Sequence, residues 1–253
     1  MLFRFLFPSK KQTAKDKFDV EHDPSLDRAL FHQDHRSVMI YLILNRGLNF
    51  IDIEGNSCLH TAAMRNSPFC IVLIARGLSV LQTNLRLETP LHLASTAKEP
   101  VNLRFTVNDQ QAIARYPFKD HLLEQIYLDV CNEKIPVHFV LKCLLSQPDI
   151  NVNAQTNELA TPLNLAVRAN APLEVLSLLL QKGANPYLKD SSRKSCFDWA
   201  VSNSDETTLN YLEKVSMLLI LMSAKCIPRI GKHESSFLRI LPKELIRELS
   251  VFF

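Results

Sequence analysis

Glycine is scarce in this chain: five residues out of 253, at Gly47, Gly55, Gly77, Gly183 and Gly231. Loops that cradle phosphates need clustered glycines so that the backbone can approach the anion. The closest pair here lies eight positions apart, which excludes nucleotide enzymes of the P-loop and dinucleotide-binding classes. The six cysteines, at 58, 70, 131, 143, 196 and 226, form no CxxC pair and have no His-x-x-x-His partner. That spacing argues against a zinc site and for reduced, mostly buried thiols, and no cofactor or metal is expected. There is no uninterrupted apolar run of about 18 residues to cross a membrane, and Met1–Phe7 is interrupted by Arg4 and stopped by Pro8. The expected workplace is therefore the cytoplasm.

Concentrated positive charge is missing too. The formal net charge is +3, but residues 1–17 carry +4 and residues 224–253 carry +3, which leaves about −4 for the middle. Nucleic-acid binding needs a basic face that displaces counterions from phosphates, and the body of the chain offers none. Nucleic acid is not an expected partner.

What the chain does have is internal repetition. Four segments align: Ser57-Cys58-Leu59-His60-Thr61-Ala62, Thr89-Pro90-Leu91-His92-Leu93-Ala94, Thr161-Pro162-Leu163-Asn164-Leu165-Ala166 and Ser195-Cys196-Phe197-Asp198-Trp199-Ala200. Their starts are separated by 32, 72 and 34 positions, so the middle gap is one period plus an insertion. Apolar runs and turns follow, as in Ile71–Gly77, Phe139–Leu145 and Val175–Asn185, and a half-match, Met39–Asn49, precedes the first segment. Ser or Thr at the motif start suits a helix N-cap, Pro next to it suits the first helical position, and Gly47, Gly77 and Gly183 suit helix ends.

With TPLH- and TPLN-type motifs in register with a GAN-type turn, the chain resembles the ankyrin-repeat family over about residues 25–222. The resemblance implies an all-α solenoid of about five helix-pair units: 25–51, 52–83, 84–155, 156–189 and 190–222. Residues 1–24 form a basic N-terminal segment and 223–253 a C-terminal one. The insertion, about 98–134, is expected either as a finger projecting beside a binding surface or as surface elaboration. Cys58 and Cys196 in place of Pro, and Trp199 in place of Leu, mark the repeats as divergent. In the family the motif histidine links neighbouring hairpins, which gives His60 and His92 structural roles.

No residues converge on acid–base, nucleophilic or metal chemistry, so the expected function is non-catalytic binding of a protein by a monomer. In register, the concave face comprises Ile53, Glu54, Asn56, Met64 and Arg65, then Leu85, Arg86, Glu88 and Thr96. It continues through Asn157, Glu158 and Arg168 to Ser191, Lys194 and Asn203. Near the C-terminus, LPKELIREL carries an apolar stripe of Leu241, Leu245, Ile246 and Leu249 after Pro242. It resembles the opening of an F-box or the end of a SOCS box, which implies docking to a Skp1-like or elongin-like ligase subunit; the other reading is a helix covering the last unit. Low glycine, drifted repeats and basic ends are together similar to ankyrin effectors that intracellular bacteria deliver into host-cell cytoplasm.

Overall fold

The four aligned segments fold alike because each opens on a hydroxyl residue in extended backbone and then turns helical. The structure, a computed structural model, describes residues 26–97, 105–118, 120–132 and 134–223. The basic segment 1–24, residues 98–104 of the insertion, and Leu241, Pro242, Leu245, Ile246 and Leu249 lie outside the described residues. The first helices of the units are α1 (Leu26–Phe31), α3 (Cys58–Met64), α5 (Pro90–Thr96), α9 (Pro162–Arg168) and α11 (Cys196–Ser202). The second helices are α2 (His35–Leu44), α4 (Cys70–Ala75), α8 (Phe139–Leu145), α10 (Leu173–Gln181) and α12 (Glu206–Ser223). The insertion supplies α6 (Val107–Ile113) and α7 (His121–Cys131).

Helices this short are marginal alone and persist because they bury apolar faces on one another. The first helices pack in sequence order, α1 on α3, α3 on α5, α5 on α9 and α9 on α11. Leu59, Leu91 and Leu163 are fully buried between them, and the small Ala62, Ala166 and Ala200 allow close approach. Behind this row, α4 packs on α8 and α8 on α10. The described residues form an all-α stack of helix pairs sharing one continuous core.

Four of the five units turn from their first to their second helix in the same way. The N–H groups of Asp34, Ser67, Ala171 and Asp205 donate to the carbonyls of Ala29, Ala62, Ala166 and Ala200 at 2.8–3.1 Å. The residue before each donor, Gln33, Asn66, Asn170 or Ser204, is left-handed, which closes the helix end in a Schellman-type cap. In the third unit this turn is absent. Ala97 is extended (φ −63°, ψ 129°), and there the chain leaves for the insertion.

The described part of the insertion is not a projecting finger, which corrects that expectation for it. Leu123, Ile126 and Val130 recur at helical spacing on α7 and are buried in the common core, and α6 packs on α2. Phe105 is buried against His35 and Tyr127, with ring centroids 6.4 and 5.1 Å away. Arg76, at the end of α4, donates to Leu42 O on α2 at 2.6 Å and pairs with Asp120, the N-cap of α7, at 3.4 Å. An apolar stripe that long lowers the free energy by returning to the second-helix side of the stack, not by standing in water.

Candidate functional site

Between one unit's second helix and the next unit's first helix runs a hairpin of fixed design. Its first residue is Asp52, Asn84, Thr156 or Asp190, and a side-chain oxygen there accepts the N–H groups two and four positions on. Asp52 accepts from Glu54 and Asn56 (2.8 and 2.7 Å), Asn84 from Arg86 and Glu88 (both 2.9 Å), and Asp190 from Ser192 and Lys194 (2.9 and 3.1 Å). Thr156 does the same for Glu158 and Ala160 with longer bonds of 3.2 and 3.3 Å. The fourth residue must be left-handed: Gly55 at φ +80°, Leu87 at +56°, Leu159 at +57° and Arg193 at +59°. Burial alone would raise the Asp52 carboxyl, but its hydrogen bonds from Asn56 and Glu54 outweigh that and hold it below the usual carboxylate range.

Hairpins are tied to one another through their backbones. Leu85 N–H donates to Glu54 O at 2.9 Å, Asn157 N–H to Arg86 O at 2.9 Å, and Ser191 N–H to Glu158 O at 2.7 Å. Beneath the tips, His60 Nδ1 accepts the Ser57 N–H and His92 Nδ1 the Thr89 N–H, each at 3.1 Å. The accepting Nδ1 leaves the proton on Nε2, which donates to Glu88 O from His60 and to Ala154 O from His92, again at 3.1 Å. Both rings are buried, and desolvation lowers their pKa despite the carbonyls they bond. Asn164, at the same position in the fourth unit, donates to Leu188 O at 3.1 Å. These groups splice hairpins to helices.

With the backbone satisfied internally, what points outward is side chain. Ile53 is 96% exposed and Leu85 71%, and Glu54, Arg86, Asn157, Glu158, Arg168 and Ser191 are also exposed. Met64, Glu88, Thr96, Lys194 and Asn203 are half-buried, as is Arg65, whose guanidinium lies 4.0 Å from the Phe31 ring centre. Asn203 donates to Val167 O at 3.0 Å, which ties α11 to α9. One candidate turns the other way: Asn56 is only 7% exposed, donates to Asp52 at 2.9 Å and accepts from Asn84 Nδ2 at 2.9 Å. Its amide is committed to holding two hairpins together, so the binding set loses Asn56.

Three further surface residues escaped the sequence reading. Leu87 and Leu159 are about half exposed at the left-handed tips, and Trp199 is half-buried on α11. Arg168 and Lys194 stand over the Trp199 ring at 5.1 and 4.3 Å, and its indole N–H donates to Asp190 at 2.7 Å. The signals were present in the repeat alignment: Leu stands where the second unit has Gly55, and Trp where Leu is usual.

The thiols of the described residues are poor nucleophiles. Burial pushes Cys58 and Cys196 up to about 12 and Cys143 up to about 11, so they stay protonated at neutral pH. Among the described residues no group of three or more His, Cys, Asp or Glu side chains could hold a metal ion. None of their helices is long and apolar enough to cross a membrane.

The family model for the ankyrin repeat matches residues 159–191, from the left-handed tip of one hairpin to the Ser191 N–H by which the next hairpin bonds back to it. Repeats of this kind form modules for protein–protein interaction. With helices in pairs and hairpins laddered at the same register in four successive units, the described residues fold as an all-α solenoid of the ankyrin-repeat kind, of which one repeat is matched by the family model.

Proposed function

We propose that this protein acts without catalysis, as a monomer, by binding a partner protein across its hairpin tips and the outward side of its first helices. One observation carries this reading: the hairpin backbones spend their hydrogen bonds on each other, while Ile53, Leu85, Leu87 and Leu159 stay in solvent. Apolar side chains displayed in a row beside arginines are the makeup of an interface anchor. The residues assigned to this face are Ile53, Glu54, Met64, Arg65, Leu85, Arg86, Glu88, Thr96, Asn157, Glu158, Arg168, Ser191, Lys194 and Asn203.

The test is affinity purification from the cell in which the protein works, with the double variant Ile53→Asp/Leu85→Asp beside the unchanged chain. Both residues are exposed, so stability should shift by no more than about 0.5 kcal/mol. A partner held by the unchanged chain should be lost by the variant. Retention by a variant that melts normally would refute the assignment.

A second reading rests on LPKELIREL at 241–249. Here the repeats select a target while the C-terminal segment recruits a Skp1-like or elongin-like ligase subunit, as in an effector working in host-cell cytoplasm. Removal of residues 236–253 discriminates. Loss of the ligase subunit with the repeats still folded supports the adaptor, whereas loss of folding supports a helix that covers the last unit.

A further inference from the structure

The hairpin ladder follows one rule and stops short at one end. The second residue of a hairpin donates its N–H to the carbonyl of the third residue in the hairpin before it: Leu85 to Glu54, Asn157 to Arg86, Ser191 to Glu158. Ile53 holds that second place in the hairpin of the second unit, and its N–H meets no acceptor among the described residues. An open edge donor of this kind pairs with extended backbone that reaches it. The described chain begins at Leu26, the start of α1, and α1 packs on α3, the helix that leads out of the Ile53 hairpin. Thr61 near the start of α3 donates to Asp27 on α1, which sets the two N-terminal ends side by side. The chain that precedes Leu26 therefore enters the stack beside the open edge.

That preceding sequence repeats the hairpin pattern. A step of 33 positions carries Ala62, Asn66 and Ser67 of the second unit onto Ala29, Gln33 and Asp34 of the first, which make the same turn. The same step carries Asp52-Ile53-Glu54-Gly55-Asn56 onto Asp19-Val20-Glu21-His22-Asp23. Asp stands at the first place, as at 52 and 190, where its oxygen accepts the N–H groups two and four positions on. His22 falls at the left-handed place, which His adopts more readily than the leucines that fill it at 87 and 159. We propose that residues 19–23 supply a further hairpin that docks on this edge, with the Glu21 carbonyl accepting the Ile53 N–H. Asp23 lies three positions before Leu26, a reach of about 11 Å. So short a tether gives an effective concentration of about millimolar or more. A partner strand competes with that, as does a second copy offering the Ser192 carbonyl at the ladder's other end. Leu85 is bonded in the same way and keeps its side chain 71% exposed, so docking leaves the Ile53 side chain outward. One contact opposes it. Across the next boundary Asn84 donates to Asn56 at 2.9 Å, whereas here the corresponding pair is Asp52 and Asp23. Two facing carboxylates weaken the docked state without changing its register.

Amide hydrogen exchange of the full chain, read residue by residue by NMR, tests this without a partner. The Ile53 N–H should exchange about tenfold or more slowly than an unstructured amide, and equally so on dilution. Asp19→Ala removes the oxygen that shapes the new hairpin, so Ile53 protection should fall about tenfold. Asp23→Asn restores the amide found at Asn56, relieves the facing charges and should raise that protection. The Leu85, Asn157 and Ser191 N–H groups, deeper in the ladder, should be unmoved by both substitutions, which checks that each variant is folded. Exchange of Ile53 at the unstructured rate overturns the proposal. So does protection that is lost on dilution, which would put a second copy on the edge. Protection indifferent to Asp19→Ala, or not raised by Asp23→Asn, overturns it as well. None of these results bears on the hairpin tips as a binding face, which stands or falls with the Ile53→Asp/Leu85→Asp variant.

Discussion

At the scale of single residues, the histidines of the motif couple the fold to pH. His60 and His92 are neutral in the folded chain because burial disfavours the cation and Nδ1 already accepts an N–H. Burial lowers His35 as well. A pKa below the unfolded value of 6.5 means that the unfolded chain takes up protons first. The contribution is therefore complete above pH 6.5 and is lost as pH falls from there through the folded values. Urea denaturation at neutral pH and near pH 5 should show lower stability in acid, by up to about 1.4 kcal/mol per pH unit for each histidine. Exchange of His92 for Gln should flatten that slope, and an unchanged slope would remove His92 from the account. At Gly55 the constraint is steric: a Cβ there would stand 3.0 Å from Leu85 N and 3.2 Å from Leu85 Cγ, at φ +80°. Gly55→Ala should cost about 1–2 kcal/mol, measured by the same denaturation.

At the scale of elements, the repeat motifs were legible because capping and left-handed helix ends demand particular residues at particular positions. Thr89-Pro90 and Thr161-Pro162 start helices where the spacing put them, and Gly77 and Gly183 end α4 and α10 with positive φ, whereas α2 is ended not by Gly47 but by left-handed Asn45. The turns between the two helices of a unit were not legible as a set, since Asn66 and Asn170 are of a type that favours the left-handed conformation but Gln33 and Ser204 are not. Nor was the placement of the insertion. An amphipathic stripe such as Leu122–Val130 says that one face will be buried, but not against what. Because α7 is buried in the common core, Leu123→Ala should destabilise the whole stack by about 2–5 kcal/mol. A loss below about 1 kcal/mol in chemical denaturation would mean that the insertion folds apart from the repeats.

At the scale of the whole molecule, the division of labour explains what the sequence could and could not tell. Residues that build the stack obey packing and capping rules, so their register can be read; outward residues obey only the partner. Ile53 and Leu85 were readable as outward by register alone, whereas the inward turn of Asn56 depends on Asn84 in the next hairpin, across a unit boundary. Trp199 gains meaning only once α9 brings Arg168 over its ring. The most direct check on a binding face made of hairpin tips and first helices is amide hydrogen exchange of the full chain, free and saturated with its recovered partner. Slower exchange confined to residues 52–65, 84–96, 156–168 and 190–203, with α2, α4, α8 and α10 unchanged, is the predicted result. Protection appearing instead on those second helices or on α6 and α7 would contradict it.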